Sequence, residues 1–125
     1  LFAADSISGQ IYVFDTESGK VLGKVATGVG TLDVAYGDSR NEIYVTTRGV
    51  SREAPKGSGT LLVIDGKDLK VKHTLSVPVH PNSLEVSQDG TLLFVSVKAP
   101  DAEDHPAFKK DALDSVLRFD LSKLD

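Results

Sequence analysis

The chain has three histidines that could take part in chemistry, His73, His80 and His105. Imidazole nitrogens bind transition metals, so His80 and His105 would form a metal site if loops brought them beside Asp104 or Glu103. Nothing in the spacing requires this, and His73 lies in an alternating apolar pattern typical of a packed side chain. The sequence therefore predicts no metal site and no cofactor, and a metal-dependent lyase or hydrolase is the weakest functional alternative.

Nucleophilic chemistry is not indicated either. The chain has no cysteine, and the spacing of its serines, histidines and aspartates predicts no catalytic triad. Asp15, Asp65 and Asp120 each follow an apolar run, where aspartate ordinarily caps a turn by accepting backbone N–H groups. Gly28-Val29-Gly30 lacks the third glycine and the following helix of a dinucleotide loop. No catalytic residue is predicted.

Binding is better supported than catalysis, because polar side chains gather in predicted loops. Two long segments, 49–59 and 99–114, separate apolar runs, and His80-Pro81-Asn82 lies between two others. Binding residues concentrate in variable loops held by a rigid scaffold. The predicted binding residues are Arg48, His80, Asn82, Lys98 and His105. Further donors nearby are Arg52, Lys56, Lys109 and Lys110, and several carboxylates make the second segment net acidic.

The elements that must position these loops form an internal repeat. An apolar run closed by aspartate occurs three times, at residues 11–15, 61–65 and 116–120. A second apolar pattern also occurs three times, at residues 1–4, 43–46 and 93–96. Successive copies are 42 to 50 residues apart, except that 55 residues separate the last two copies of the first pattern, and β-rich units at about this period are typical of a β-propeller.

The predicted fold is an all-β, partial β-propeller of about two and a half four-stranded antiparallel blades. Residues 1–125 form a single domain with ten strands, labelled A to D from the propeller axis outward, and little helix. Blade 1 supplies strands B–D in residues 1–26, blade 2 is complete in 31–77, and blade 3 supplies strands A–C in 82–120. In such blades the B-to-C and D-to-A loops emerge on one face, which therefore receives both long segments and His80-Pro81-Asn82.

The charge and hydropathy of the chain disfavour two classes of partner, nucleic acids and membranes. The formal net charge is −4 and the pI about 5.3, which argues against general nucleic-acid binding. No apolar run approaches the roughly 20 residues of a membrane-spanning helix, so no membrane insertion is expected. The first residues lack the pattern of a signal peptide and the chain has no methionine, so we expect the natural N-terminal part to be missing.

Several motifs carry a resemblance to a known family. The residues Ile43-Tyr44-Val45-Thr46, the aspartates at 15 and 65, and His80-Pro81-Asn82-Ser83 followed by Gln88-Asp89-Gly90 resemble the YVTN-type β-propeller repeat. The chain is similar throughout to the C-terminal part of the bacterial periplasmic YncE-like proteins. The resemblance implies a seven-bladed ring, an upstream export signal and binding rather than established enzymatic activity. The third copy departs from the repeat at Arg118 and in the long segment before it.

The expected function is therefore a non-enzymatic binding or scaffolding propeller of the bacterial periplasm. Its ligand or protein partner should bind the loop face near the central channel. The alternative is a module that docks a protein or a polymer, including single-stranded nucleic acid held in a local basic groove. Open blade edges should also bind the rest of the chain's own propeller or lead to self-association.

Overall fold

The computed structural model describes all 125 residues, Leu1–Asp125, and contains ten β-strands and two short 3₁₀ turns. The strands are β1 (Phe2–Asp5), β2 (Gln10–Phe14), β3 (Val21–Ala26), β4 (Thr31–Gly37), β5 (Glu42–Thr47), β6 (Gly59–Asp65), β7 (Val71–Val77), β8 (Pro81–Val86), β9 (Leu92–Val97) and β10 (Ser115–Asp120). The 3₁₀ turns are Asp38–Arg40 and Leu121–Leu124. The predicted all-β fold with little helix is confirmed. Neither of the short helical turns has the length that a membrane-spanning helix requires.

The strands form three antiparallel sheets in chain order. The first contains β1-β2-β3, the second β4-β5-β6-β7, and the third β8-β9-β10. Strand β4 contacts β1 of the first sheet and β8 of the third, so the second sheet packs between the other two. Consecutive sheets packed side by side through their first strands are blades of a partial β-propeller.

The middle strands are apolar because both of their faces are covered. In β6, Leu61 and Val63 belong to the core shared with the third sheet, whereas Leu62 and Ile64 belong to the core shared with the first. Successive side chains of a strand point to opposite faces, so one continuous apolar run serves two cores. The outer strand β7 instead alternates, and Lys72 is exposed on its solvent side.

An aspartate joins the second and third sheets at their inner strands. Both β4 and β8 depart from regular register near their first residues, between Thr31 and Asp33 and between Pro81 and Leu84. Asp33 Oδ2 accepts a hydrogen bond of 3.0 Å from the backbone N–H of Leu84, the residue at which the β8–β9 pairing resumes after the irregularity. The carboxylate thus holds neighbouring blades together at the axis.

A buried carboxylate closes the other end of the second sheet, at the beginning of β5. Glu42 is only 3% exposed and accepts hydrogen bonds from Tyr44 at 2.7 Å, from Arg40 at 3.0 Å and from Lys72. Burial alone would raise the pKa of Glu42, but the bonds from Lys72, Tyr44 and Arg40 outweigh it and hold that pKa below its usual value. Arg40 also pairs with Asp125, so the cluster links β5, β7 and the C-terminal turn.

Candidate functional site

Five connections emerge at the end of the sheets opposite Glu42, and together they form what we call the insertion face. They are residues 6–9, 27–30, 48–58, 78–80 and 98–114. Alternate connections of an antiparallel sheet leave from the same end, so the strand order brings these segments together. Four of the five predicted binding residues lie in these segments, and Asn82 follows directly in β8.

His105 joins the two long segments of the insertion face. The residue is 8% exposed. Its Nε2 hydrogen-bonds the carbonyl of Gly57 at 3.1 Å, and its Nδ1 accepts the N–H of Ala107 at 3.0 Å. These contacts require a neutral imidazole protonated at Nε2. Its ring centroid is 6.5 Å from that of His80, and no group of three His, Asp or Glu side chains has a metal-binding arrangement. Both ring nitrogens are thus engaged by the protein itself.

The other four predicted binding residues line one depression of about 330 Å³ between the second and third sheets. Its walls are Arg48, His80, Asn82, Lys98, Asp101 and Ala102. Arg48 follows β5 and Lys98 follows β9, whereas His80 and Asn82 lie at the beginning of β8. The sequence did not single out Asp101 as a lining residue, because only the folded path of the 98–114 segment brings it here.

The two cations of the depression occupy equivalent positions of successive blades. The backbone N–H of Arg48 donates to Gly30 at 2.9 Å, and that of Lys98 donates to His80 at 3.0 Å. Gly30 and His80 both adopt the left-handed backbone region, with φ values of 71° and 61°. The repeat therefore fixes the base of both cationic side chains in the same way, and it places the His80 ring where the preceding blade has only a glycine.

The left-handed backbone conformation of His80 strains the folded protein, because this conformation disfavours residues with a Cβ atom. We expect His80→Gly to be more stable than His80→Ala by about 1 kcal/mol, since glycine adopts this conformation without strain. Chemical denaturation of the two variants in the full-length protein measures the difference. Equal stabilities would show that the left-handed conformation at residue 80 imposes no strain.

The charges of the depression are only partly neutralised. Lys98 Nζ pairs with Asp101 at 2.7 Å, which raises the pKa of Lys98 and lowers the pKa of Asp101. Arg48 has no carboxylate oxygen within 4.0 Å. Burial lowers the pKa of His80, and the positive charge of Arg48 adds to that effect. At neutral pH the depression therefore presents two cations, one carboxylate and a neutral imidazole.

A larger groove lies beside the depression, and no motif in the sequence pointed to it. It has a volume of about 670 Å³, lies between the first and second sheets, and shares Arg48 with the depression. Its walls include Ser6, Ile7, Ser8, Gly28, Val29 and Glu53. Ile7 is 97% exposed at its rim. The only available signal was the turn chemistry of residues 6–9 and 28–30, which does not distinguish a groove from an ordinary loop.

Sequence comparison finds related proteins whose alignments cover most of this chain. It is 38% identical over 110 residues to the protein YncE of Salmonella typhi, and 40% identical over 110 residues to YncE of Escherichia coli strain K12. These alignments cover 88% of the chain but only 29% of each relative. Antigen Lp49 of Leptospira interrogans is 26% identical over 102 residues, 82% of the chain and 20% of that protein. No family model matches the chain.

Structural comparison finds a more distant similarity. A chain of the Kuenenia stuttgartiensis hydrazine synthase superposes with a TM-score of 0.45 and 15% sequence identity. The match covers 98% of the present chain and 43% of that chain.

Proposed function

We propose that this chain is part of a YVTN-type propeller of the YncE-like group, exported to the bacterial periplasm, and that it binds a ligand on the insertion face without converting it. Identity of 38% to 40% over 110 residues supports the relationship. The chain spans about 29% of the length of these relatives. Our proposal includes further blades of the same ring in the whole protein.

One observation carries the binding function: Arg48, His80, Asn82 and Lys98 come from two adjacent blades and line one depression. Small-molecule sites are concave and contain a few polar groups held by a rigid scaffold. The bases of Arg48 and Lys98 are fixed by backbone hydrogen bonds, which satisfies that description. The lining contains no serine, threonine or cysteine, and the ion pair with Asp101 raises the pKa of Lys98, which disfavours this amine as a nucleophile. The geometry therefore favours recognition over catalysis.

The test compares two sets of substitutions in the full-length protein. Thermal-shift screening against defined sugars, amino acids, nucleotides and organic acids should give ligands whose affinity falls at least about tenfold in the triple variant Arg48→Ala, His80→Gly, Lys98→Ala. These side chains are at least partly exposed, so stability should change little, by about half a kcal/mol for each. Glycine is chosen at position 80 because it suits the left-handed backbone.

A matched control alters the opposite face. Glu17→Ala and Gln88→Ala change exposed side chains in turns at the other end of the sheets, and they should leave the affinities unchanged. If the triple variant still binds the ligands and the opposite-face variant loses them, the binding site lies on the opposite face and the proposal is contradicted.

Docking of an extended ligand is the second candidate, and the continuity of the surface favours it. The large groove and the depression share Arg48 as a wall. A further depression of about 370 Å³ shares Asn82 and Lys98 with the first depression. A track across three sheets suits a protein segment or a polymer. In the same screen, affinity that increases with ligand length would support this candidate over a small molecule.

A further inference from the structure

We propose that the depression binds the oxyanion of a small molecule, a carboxylate or a phosphate group, between Arg48 and Lys98, and that the Asp101 carboxylate occupies the Lys98 side of this site when no ligand is bound. This inference rests on the binding function proposed above and names its ligand class. Asp101 is then a built-in competitor rather than a ligand-binding residue.

Charge complementarity is the first argument. Arg48 has no carboxylate partner, and Lys98 has only Asp101, in a protein whose formal net charge is −4. Within the lining of the depression, two cations against one carboxylate leave an excess of positive charge. Guanidinium groups bind carboxylate and phosphate through paired hydrogen bonds, which makes an oxyanion the complementary ligand.

The strength of the internal pair is the second argument. Lys98 and Asp101 lie in the same connection, and their side chains are 58% and 80% exposed. Exposed pairs of this kind contribute only about 0 to 1 kcal/mol, so a ligand displaces the aspartate at little cost. The contact between Lys98 and Asp101 nevertheless shows that a carboxylate can bind on the Lys98 side of the site, because one is already there.

Volume and the remaining polar groups indicate a small ligand. About 330 Å³ is at the lower end of the range for small-molecule sites. The Asn82 amide and the neutral His80 imidazole can each donate or accept a hydrogen bond beside the anion. The charged and titratable groups facing His80 are Arg48, His105, Lys98 and Asp101. Protonation of His80 at acidic pH would add a third positive charge and strengthen anion binding.

The experiment uses calorimetric titration of the full-length protein at low ionic strength, with inorganic phosphate and acetate as separate probes. We expect Asp101→Asn to bind at least one probe about three- to tenfold more tightly than the unaltered protein, and Arg48→Gln to bind it at least about fivefold more weakly. Asp104→Asn and Arg52→Gln make the same charge changes outside the depression, and both should stay within about twofold. Preference for phosphate or acetate identifies the source of the oxyanion.

Two results would overturn the inference. One is that neither probe binds the unaltered protein or Asp101→Asn. The other is that Asp101→Asn and Asp104→Asn tighten binding equally, which would reflect net charge alone. Failure here is distinguishable from failure of the proposed function. If the triple variant loses its screened ligands while no oxyanion binds, the binding face is right and the ligand class is wrong.

Discussion

Replacing Glu42 by glutamine should lower the free energy of unfolding of the full-length protein by about 2 kcal/mol at pH 7. The Glu42 carboxylate accepts bonds from Arg40, Tyr44 and Lys72 in a buried position. Hydrogen bonds to charged groups contribute about 1.5 to 3 kcal/mol, and glutamine keeps the volume while losing the charge. Because Arg40 and Lys72 are partly exposed and can be hydrated, the loss should stay below the largest values for broken buried pairs.

The same variant should reveal a pH dependence. The folded-state pKa of Glu42 is lowered from its ordinary value of 4.5. A carboxyl with a depressed folded pKa stabilises the protein above its unfolded pKa, and this contribution is lost as pH falls through the folded pKa. The difference in stability between the unaltered protein and Glu42→Gln should therefore be full at pH 6 to 7 and shrink below about pH 4.5. Urea denaturation across this pH range measures it.

Glu85→Gln is the matched control, because Glu85 is an exposed glutamate on a strand and makes no ion pair. It should change stability by less than about half a kcal/mol at any pH. If Glu42→Gln behaves like this control, the buried cluster does not stabilise the fold.

The repeat was predictable because its signals are local. Apolar runs such as 61–64 are short, end at an aspartate and recur at a near-constant offset. The structure confirms the turn role of these aspartates: Asp65 Oδ1 accepts the N–H of Lys67 at 2.7 Å, and Asp15 Oδ1 accepts that of Ser18 at 2.7 Å. Each of these features depends on residues that are close in sequence.

The contacts that the sequence did not reveal join distant segments. Glu42 follows a turn, where an acidic residue is ordinarily solvated, and its partner Lys72 is 30 residues away. Asp33 contacts a backbone N–H 51 residues away, and His105 contacts Gly57 at a separation of 48 residues. No periodicity encodes such pairs, since they depend on how non-adjacent strands, sheets and loops come together in the fold. The same dependence on long-range contacts explains why the sequence did not distinguish His105, which joins two loops, from the four predicted binding residues that line the depression.

The second large effect concerns residues 1–125 produced as a separate chain, which should self-associate at micromolar concentration. Strands β1 and β10 each have an edge that no strand of this chain pairs, and Val116 on β10 is 66% exposed. Open edges beside exposed apolar side chains promote strand pairing between molecules, and a charged residue there opposes it. Val116→Lys should therefore weaken association about tenfold in light-scattering measurements. Leu113→Lys also replaces an exposed apolar side chain by lysine, but in a loop, and should leave association unchanged. A stable monomer with two-state unfolding would contradict the expectation, because it would show that these edges need no further strand.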